Sequence, residues 1–563
     1  MPDSTLNVPG ISVLLNGAEI DQRWRDLLVE ARVRDTLALP DSATIRITDP
    51  KGENVDTLMG LFKIGAEIEI KASAAKDKTK ASIFKGDVVA FEPEFGNAGV
   101  EVVVRALDKG HKLQRERKVR TFQQMSASDI VGKIARESGM SFEADSTSVV
   151  YEFFQQSAET DWDLIARLAR LHGYRFYVED RKLCFKKPGA NAGVPIELKW
   201  QDSLISFRPR VSGVQQVKTI NVRSWDPKAK KNVAGSSASA TTVSSPGTQR
   251  AKVSSDSGGG TTLIADRPAF NSGEADAIAK SALNGRAEAF AEAEGVAFGN
   301  PGVKAGCKVK IAGVGTALGG TYLVSSTTHV FRGAKGYQTT FQIAGMSERG
   351  LLDLFHPPER HDWSRDLVVG VVTNNNDPDG MGRVRVKYPS LSDSEEGAWA
   401  RVASVSAGNA RGLMMLPQPN EEVIVGFEQG DTRRPIVIGS LFNGKDKPGD
   451  DLLQNRDGSF ALVSNERAHI HTKKDFEIKS DQNMVIEIQK DHKIKASGNS
   501  EHESTGTGKL KAQQYTIEAG STMTVKGVSV TVEASASLTL KGATVDVQAS
   551  GPLNLKGAII NIG

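Results

Sequence analysis

Residues 527–563 read GVSVTVEASASLTLKGATVDVQASGPLNLKGAIINIG, and this stretch decides the fold class of the C-terminal part of the chain. Lys-Gly pairs begin at residues 526, 541 and 556, so the sequence repeats every 15 residues. Apolar residues alternate with polar ones inside each repeat, which is the period of a β-strand that buries one face. A short regular repeat of this kind is typical of a β-helix or β-solenoid.

The repeat offers few large side chains with which one chain could enclose a core, because Phe476 and Tyr515 are the only aromatic residues after Phe460. Three chains wound together would bring their inward aliphatic side chains onto a common axis and would pair every strand edge along it. The predicted trimer core consists of Val530, Val532, Leu538, Leu540, Val545, Val547, Leu553 and Leu555. A single-chain solenoid, a flat array of edge strands and a disordered tail are the alternatives, and the repeated register argues against disorder.

The composition excludes several classes of protein. A chain of 563 residues is too long for one core and suggests three or four domains. Lys plus Arg number 71 against 68 for Asp plus Glu, a balance that argues against a dedicated binder of nucleic acid or membrane surfaces. Two cysteines, Cys184 and Cys307, are too few for a disulfide framework or a cysteine-built zinc site.

The N-terminus has neither a basic start nor a long apolar run, and no stretch approaches the ~20 apolar residues of a membrane helix. We therefore expect assembly in the cytoplasm without a signal peptide.

Residues 366–443 show five or six short strands with turn-rich joints, the pattern of a small closed barrel such as an OB-fold. The stretch Asn375-x-Asp377-x-Asp379-Gly380 is similar to the start of an EF-hand calcium loop. Val386 occupies the twelfth position in place of Glu, so a hairpin turn is the better interpretation. Single-stranded nucleic acid would need stacking aromatic residues and a basic groove. The strands offer mainly Tyr388, Trp399, Phe427 and Phe442, and acidic residues interrupt the basic ones, which argues against this function.

Three stretches carry a resemblance to a known family. VVTNNNDPDGMGRVRVKYP (371–389), LPQPNEEVIVGFEQGDTRRPIVIGSLFNG (416–444) and NERAHIHTKKDFEI (465–478) resemble VgrG proteins, the spikes of type VI secretion systems, to which phage-tail-like spikes are related. Residues 157–185 resemble the hub domain of VgrG and of phage tail "late control" proteins. The resemblance covers nearly the whole chain and is weaker over 186–300.

The N-terminal part combines strands with helices. Residues 126–140 start with capping Ser and Asp residues, and residues 157–172 carry an apolar stripe with Thr160 or Asp161 as the N-cap and Gly173 at the end. The Ala-rich segment 273–295 predicts a helix with a break at a glycine. The strand pattern of residues 65–109 returns at 306–347, which suggests two similar barrels in each chain and six in a trimer.

These observations predict a mainly β protein with four parts. A tail-hub-like domain occupies residues 1–362, with barrels at about 8–112 and 200–347 around a helical part at 113–195. An OB-fold barrel follows at 363–445, then a connector at 446–475 and an intertwined trimeric β-helix needle at 476–563.

The resemblance implies a structural function. The chain is expected to be the homotrimeric central spike of a contractile injection apparatus, joining the inner tube and baseplate to a membrane-puncturing needle. The family further implies a PAAR-type tip protein at Ile560, Ile562 and Gly563, with cargo effectors and the target cell envelope as other partners. The particle would act at or outside the cell envelope.

No catalytic residue is predicted, because no G-x-S-x-G, H-E-x-x-H or complete Walker A motif is present. The ~30 residues between barrel and needle are also too few for a catalytic domain. The alternative is a trimeric receptor-binding or polysaccharide-degrading fibre, which would need paired carboxylates and aromatic sugar platforms.

No cofactor and no metal ion are expected, although one pair of residues merits a test. His469 and His471 lie two residues apart on a probable strand and so share a face. In a trimer six imidazoles could approach the axis and hold a transition metal. The same alternation would equally allow both rings to point to solvent.

Overall fold

The computed structural model describes residues 10–343 apart from 38, 75–78, 191, 215, 257 and 333–335. It also describes residues 366–447 apart from 410 and 413, and residues 460–463 and 468–563. The chain divides into two compact units, Met1–Gln454 with Leu462–Arg467 and Asn455–Ala461 with Ala468–Gly563. The expected boundary between hub and barrel and most of the expected connector lie outside the described residues.

The mainly β class predicted from the sequence is confirmed. In the described residues, six α-helices lie at α1 Gln22–Asp26, α2 Val55–Leu61, α3 Ala127–Glu137, α4 Asp161–His172, α5 Arg250–Asp256 and α6 Ser272–Glu288. The strands of the first part are β1 Ile11–Leu15, β2 Ala18–Glu19, β3 Leu28–Thr36, β4 Ser42–Asp49, β5 Glu67–Ala72, β6 Ala81–Gly96, β7 Gly99–Leu107, β8 Arg117–Ser126, β9 Ser141–Ala144, β10 Val150–Thr160, β11 Arg175–Glu179 and β12 Lys182–Lys186.

The second part of the first unit contains β13 Ile196–Lys199, β14 Leu204–Val211, β15 Thr219–Asp226, β16 Lys231–Ser237, β17 Ser245–Pro246, β18 Thr261–Ile264, β19 Ala291–Phe298, β20 Lys308–Ala312, β21 Gly320–Leu323, β22 Ser326–Arg332 and β23 Gly336–Ile343. The remaining strands are β24 Val368–Asn374, β25 Val384–Lys387, β26 Glu396–Val402, β27 Ala407–Gly408, β28 Arg411–Gly412, β29 Glu422–Phe427, β30 Pro435–Ser440, β31 Phe460–Val463 and β32 Ala468–His471.

Strands from both predicted barrels form one eleven-stranded sheet, in the order β14-β19-β23-β22-β3-β4-β7-β6-β5-β1-β2, whereas β13-β20-β21-β17 and β16-β15-β18 form two smaller sheets. Antiparallel pairing of β3 with β22, with Arg34 opposite Thr328, joins the two halves. Each half nevertheless packs its own apolar core, one centred on Ile47 and Ile68 and the other on Val309 and Phe341. The two cores touch through Tyr337 of β23, which is buried in the first core, and the two halves are continuous in main-chain hydrogen bonds.

The internal repeat predicted from the sequence reappears in the hydrogen bonds. Gly65 N–H donates to the Val88 carbonyl at 2.8 Å, and Gly306 N–H donates to the Val324 carbonyl at the same distance. Gly65 and Gly306 have φ values of 89° and 84°, a left-handed conformation that glycine adopts without steric cost. The two segments therefore share a detailed backbone conformation as well as an apolar pattern.

Further equivalences extend the repeat to the neighbouring strands. A bulge lies between Leu28 and Glu30 where β3 pairs with β4, and a matching bulge lies between Leu204 and Ser206 where β14 pairs with β19. Strands β3-β4-β7-β6 thus correspond to β14-β19-β23-β22. The first repeat has one long strand, β6, where the second has β21 and β22.

The helical part forms as its capping residues predict. The Ser126 side chain accepts a hydrogen bond from the Asp129 N–H, and the Asp129 side chain accepts one from the Ser126 N–H, which completes a capping box for α3. Thr160 caps α4, and Gly173 ends it with φ 69°. Both helices bury an apolar face in one core with Phe122.

The predicted helix at 273–295 is wrong at its C-terminal end. Helix α6 stops at Glu288, and Ala291–Phe298 is strand β19, whose residues are buried at alternate positions between β14 and β23. Alanine favours a helix when isolated, but the two neighbouring strands offer complete main-chain pairing and override that preference.

The predicted small barrel is confirmed as a closed sheet in the order β24-β25-β26-β30-β29. Its core contains Val372, Val386, Tyr388, Val425 and Val437. None of the helices in the described part of the chain combines the length and the apolar run that a bilayer crossing requires.

Candidate functional site

The C-terminal segment leaves its apolar residues uncovered. The eight predicted core residues from Val530 to Leu555, together with Ile560 and Ile562, retain between 49% and 88% of their accessible surface. No strand forms within residues 472–563, all of which are described. A strand needs a hydrogen-bonded neighbour, and one copy of this segment does not supply one.

The segment nevertheless bends at regular intervals. Bends fall at residues 473, 481, 489, 497, 505 and 513, eight residues apart, and then at 520, 528, 535, 543, 550 and 558, alternately seven and eight apart. Extended pieces connect them, so the chain turns with a period of 16 residues that changes to 15. The sequence revealed the 15-residue period and missed the regularity before it.

Three glycines confirm that the 15-residue repeat is structural. A Cβ atom placed on Gly527, Gly542 or Gly557 would lie 3.2, 2.9 or 3.3 Å from the carbonyl oxygen two residues later. The glycines thus occupy the same tight turn in three successive repeats. A side chain at these positions would crowd the main chain.

Pairs of alternate residues that begin two or three positions after each bend continue the row of Val530 and Val532 toward the N-terminus. Earlier pairs are Phe476/Ile478, Met484/Ile486, His492/Ile494, Ser500/His502, Gly508/Leu510, Tyr515/Ile517 and Met523/Val525. Within this described segment, Ser500/His502 is the pair in which neither side chain is apolar. A polar interval therefore interrupts the apolar row.

The same register separates His469 and His471 from the apolar row. Ala468 and Ile470 hold the equivalent positions, and each histidine directly follows one of them. His471 is exposed, and the His469 side chain lies outside what the structure describes. Within one copy, the described residues contain no group of three or more His, Cys, Asp or Glu side chains arranged to hold a metal ion.

A buried ion cluster joins the small barrel to helix α6 and strand β10. Arg433, in the turn before β30, donates to Glu274 of α6 at 2.7 Å and makes a two-pronged contact with Asp431. Its guanidinium also lies 5.2 Å from the Tyr151 ring centre and 4.8 Å from that of Phe270. Arg433 of the barrel therefore contacts both a carboxylate and aromatic rings of the preceding part of the chain.

The electrostatics of this cluster favour the ion pair. Burial by itself would raise the pKa of Asp431, but the charge and hydrogen bonds of Arg433 hold it below its usual value. Burial would likewise lower the pKa of Arg433, and the charges of Asp431 and Glu274 raise it. Both groups stay ionised in a buried position, which is stable only while the pair is intact.

Arg434 strengthens the same junction through main-chain acceptors. Its guanidinium donates to the carbonyls of Trp225 and Ala269 at 2.8 and 2.7 Å. Gln429 donates to the Ala265 carbonyl at 2.6 Å, and Thr121 donates to Glu395 at 2.8 Å. The barrel is thus attached to the preceding part of the chain at several points.

The stretch GDTRRPIVIG entered the interpretation of the sequence only as part of the family resemblance. The sequence predicted no role for Arg433 or Arg434. The signal that could have revealed them is a pair of arginines directly before a buried strand, where charged residues need a partner to be retained.

Asp377 lies in a hairpin turn and its carboxylate is fully engaged. It accepts hydrogen bonds from the N–H groups of Asp379, Met381 and Arg383 and pairs with the Arg383 guanidinium at 2.7 Å. Burial would raise the pKa of Asp377, but these bonds hold it well below its ordinary value.

Three buried carboxyl groups cluster where the two halves of the sheet meet, at Asp35, Asp41 and Asp108. Asp35 accepts from the Ala305 N–H at 2.8 Å and is hydrogen-bonded to Asp41, whose N–H donates to Asp108 at 2.9 Å. Burial raises the pKa of Asp35 to about 6 and that of Asp108 to about 7, and it raises that of Asp41 as well.

Family comparisons match most of the chain. A family model described as the Alg8 N-terminal domain matches residues 6–332, and one described as the type VI secretion system/phage-baseplate injector OB domain matches residues 368–442.

Curated proteins match over short segments. The type VI secretion system spike protein VgrG5 of Pseudomonas aeruginosa is 30% identical over 132 residues, covering 22% of this chain and 16% of that protein. VgrG3 of Vibrio cholerae, described in the same words, is 39% identical over 69 residues, covering 12% of this chain and 7% of that protein. The chain thus spans less than a fifth of the length of these two relatives.

Two solved structures are similar over longer stretches. One chain of the half-lidded Francisella PdpA-VgrG complex has a TM-score of 0.49 at 9% identity, and the match covers 82% of this chain and 86% of that chain. The E. coli c3393 protein, a component of the type VI secretion system, has a TM-score of 0.48 at 15% identity and covers 76% of this chain and 99% of that chain.

Proposed function

Because this chain belongs to the VgrG spike family, we propose that three copies form the central spike of a contractile injection apparatus. The chain has an Alg8 N-terminal domain at residues 6–332 and a baseplate-injector OB domain at residues 368–442. In this role the N-terminal part is the hub under the inner tube, and the C-terminal segment is the needle. The role is mechanical, and no catalytic group is assigned.

The observation that carries this proposal is the uncovered apolar row of the C-terminal segment. Soluble proteins rarely leave so long a continuous apolar surface in water, and such a surface marks an interface. Burying an aliphatic side chain contributes roughly 1.5–3 kcal/mol, so a row of ten such residues in each copy gives a strong driving force for association. Three copies close the prism, because each supplies one wall and every strand edge along the shaft gains a neighbour.

The hub fits this role through its internal repeat. Two equivalent repeats in each of three copies place six similar units around the axis, which matches a three-fold needle to a six-fold tube. The Arg433 cluster ties the small barrel to the hub, so an axial force on the hub reaches the barrel through buried contacts.

The partners follow from the same assignment. The blunt end of the needle, at Ile560, Ile562 and Gly563, would bind a PAAR-type tip protein that covers its exposed apolar surface. The hub would contact inner-tube and baseplate proteins, with cargo effectors carried by the particle. Assembly takes place in the bacterial cytoplasm, and the particle acts at or outside the envelope of the target cell.

The mass of the intact protein in solution tests the proposal. Light scattering after size-exclusion chromatography should give about 181 kDa, three times the 60.4 kDa of one chain. Leu540→Asp should abolish this species, because it would place three carboxylates on the axis. Thr539→Asp is the matched control, since residue 539 alternates to the outer face. A folded 60.4 kDa monomer with an ordered C-terminal segment contradicts the spike assignment.

A further inference from the structure

Two strand edges of the eleven-stranded sheet are unpaired within the described residues. Residues 81–87 of β6 pair with β5, but residues 90–96 pair with β7 alone. At the β14 end of the sheet, residues 206–211 pair with β19 alone. Unpaired edges present free N–H and C=O groups and are templates for another strand.

The chain itself shows what such edges bind. In the repeat described above, β22 corresponds to residues 90–96 of β6, and β3 corresponds to β14. Within one chain β22 pairs with β3, placing Val330 opposite Arg32 and Phe331 opposite Ala31. The unpaired edge of β6 is therefore equivalent to an edge of β22, and the unpaired edge of β14 is equivalent to an edge of β3. Since β22 and β3 pair with each other, the two unpaired edges have matching shapes.

Counting along both repeats fixes the equivalent positions. The hairpins close at Gly96 with Gly99 and at Arg332 with Gly336, so Phe95 corresponds to Phe331 and Glu94 to Val330. The matching bulges on the other strand make Arg208 equivalent to Arg32 and Phe207 equivalent to Ala31.

We propose that β14 of one copy pairs antiparallel with residues 90–96 of the next copy, with Glu94 opposite Arg208, Glu92 opposite Arg210 and Phe95 opposite Phe207. This inference rests on the proposed trimer and names the surface by which its hubs associate. Three such contacts close six repeats into a ring in which no hub edge of this kind remains unpaired.

The charges on the two edges complement each other. Glu92 and Glu94 lie on one face of β6, and Arg208 and Arg210 lie on one face of β14; all four are exposed. Glu94 and Arg208 have no ion pair among the described residues, so this contact would satisfy both. Opposite charges across neighbouring strands stabilise a sheet, and like charges in those positions destabilise it.

The second charged pair extends contacts already present within each copy. Glu92 accepts from Arg105 of β7 at 2.7 Å, and Arg210 lies 3.7 Å from Glu292 of β19. The proposed pairing would place Arg105, Glu92, Arg210 and Glu292 in a row across four adjacent strands. Their charges alternate in sign along that row.

The other face of the same strands is apolar. Phe95 is 72% exposed at the end of its hairpin, and Phe207 is half-buried. Pro93 and Pro209 fall opposite each other in the proposed register. Since proline has no N–H, neither strand loses a donor at this pair.

Disulfide cross-linking of the full-length chain tests the register. Opposite residues of an antiparallel pair have Cα atoms about 4.5–5.5 Å apart, within the range that a disulfide spans. The variant with Glu94→Cys and Arg208→Cys should, on mild oxidation, give a covalent trimer on a non-reducing gel. The native Cys184 is buried and Cys307 is half-buried. Variants with only one of the two substitutions measure how much cross-linking these native cysteines cause.

Two further variants are matched controls. Arg32→Cys with Val330→Cys places the same pair at the equivalent position inside one chain, where an intrachain disulfide should form. Glu94→Cys with Arg210→Cys is displaced by two residues and should give about tenfold less interchain product, because diagonal neighbours lie about 7–8 Å apart.

Charge reversal supplies a second readout. Glu94→Arg or Arg208→Glu alone should lower the thermal stability of the trimer, and the two together should restore it. If the trimer with Glu94→Cys and Arg208→Cys fails to cross-link while the intrachain control succeeds, this pairing is overturned and the spike assignment stays intact. A monomer by light scattering overturns the spike assignment itself.

Discussion

The Arg433 guanidinium lies 2.7 Å from the Glu274 carboxylate and joins the small barrel to helix α6. Both side chains are nearly inaccessible to solvent. Arg433→Leu should lower the free energy of unfolding by about 3–5 kcal/mol, because it leaves two buried carboxylates without their cation. Urea unfolding of the full-length protein, followed by tryptophan fluorescence, measures the loss.

Arg401→Leu is the control for this experiment, since Arg401 is exposed on the same barrel. Its effect should stay within about 0.5 kcal/mol. Equal unfolding curves for Arg433→Leu and the wild-type protein would show that the cluster does not stabilise the junction.

The acidic cluster predicts a pH dependence of stability. The folded-state pKa values of about 6 for Asp35 and about 7 for Asp108 lie above the ~3.9 of an unfolded chain. Between these pH values the folded protein therefore binds more protons than the unfolded chain does. The cluster's contribution to the free energy of unfolding is complete below about pH 4 and is lost as the pH rises to about 7. Asp35→Asn should reduce this slope, because the amide still accepts from Ala305 N–H and donates to Asp41 without ionising.

Melting temperatures of the wild-type protein and Asp35→Asn between pH 5 and 7.5 test this expectation. The exposed Asp202→Asn controls for removal of a carboxylate. Parallel curves for wild type and Asp35→Asn would contradict a role for the cluster in the pH response.

The glycine turns of the needle give a matched pair of substitutions. Gly542→Ala would place a Cβ 2.9 Å from the Thr544 carbonyl oxygen, whereas a Cβ at Gly551 meets nothing within 4 Å. We expect Gly542→Ala to lower the melting temperature of the needle and Gly551→Ala to leave it unchanged. Differential scanning calorimetry of both full-length variants distinguishes them, and equal melting temperatures would show that the turn tolerates a side chain.

His502 tests the register of the needle before residue 513. If residues 500 and 502 face the axis as Val530 and Val532 do, His502→Val exchanges a buried polar ring for an aliphatic side chain and should raise the melting temperature. Glu501→Val changes the neighbouring outer position and should not. An increase for Glu501→Val alone would place the apolar row on the other face.

Local patterns in the sequence predicted much of the first unit. The capping residues Ser126 and Thr160 located α3 and α4, and alternating apolar residues located the strands of the small barrel. The repeat of residues 65–109 at 306–347 also has a counterpart in the structure, down to the hydrogen bonds of Gly65 and Gly306. These signals are local, so the residues that carry them are close in sequence.

Contacts between distant segments were not predictable in the same way. Nothing near Ala291 indicates that two strands from elsewhere will pair with it and end the helix at Glu288. The partner of Arg433 lies 159 residues away, and the acidic cluster brings Asp108 to Asp41 across 67 residues of sequence.

The sequence by itself determined the strand and helix periods, the repeated turns of residues 527–563 and the internal repeat, because each depends on residues a few positions apart. Only the tertiary structure decided that the two repeats share one sheet, that Arg433 links the small barrel to helix α6, and that complementary edges of β6 and β14 remain open. The physical reason is that hydrogen-bond pairing and charge burial depend on which segments meet in space, and the pattern along one segment does not specify its neighbour.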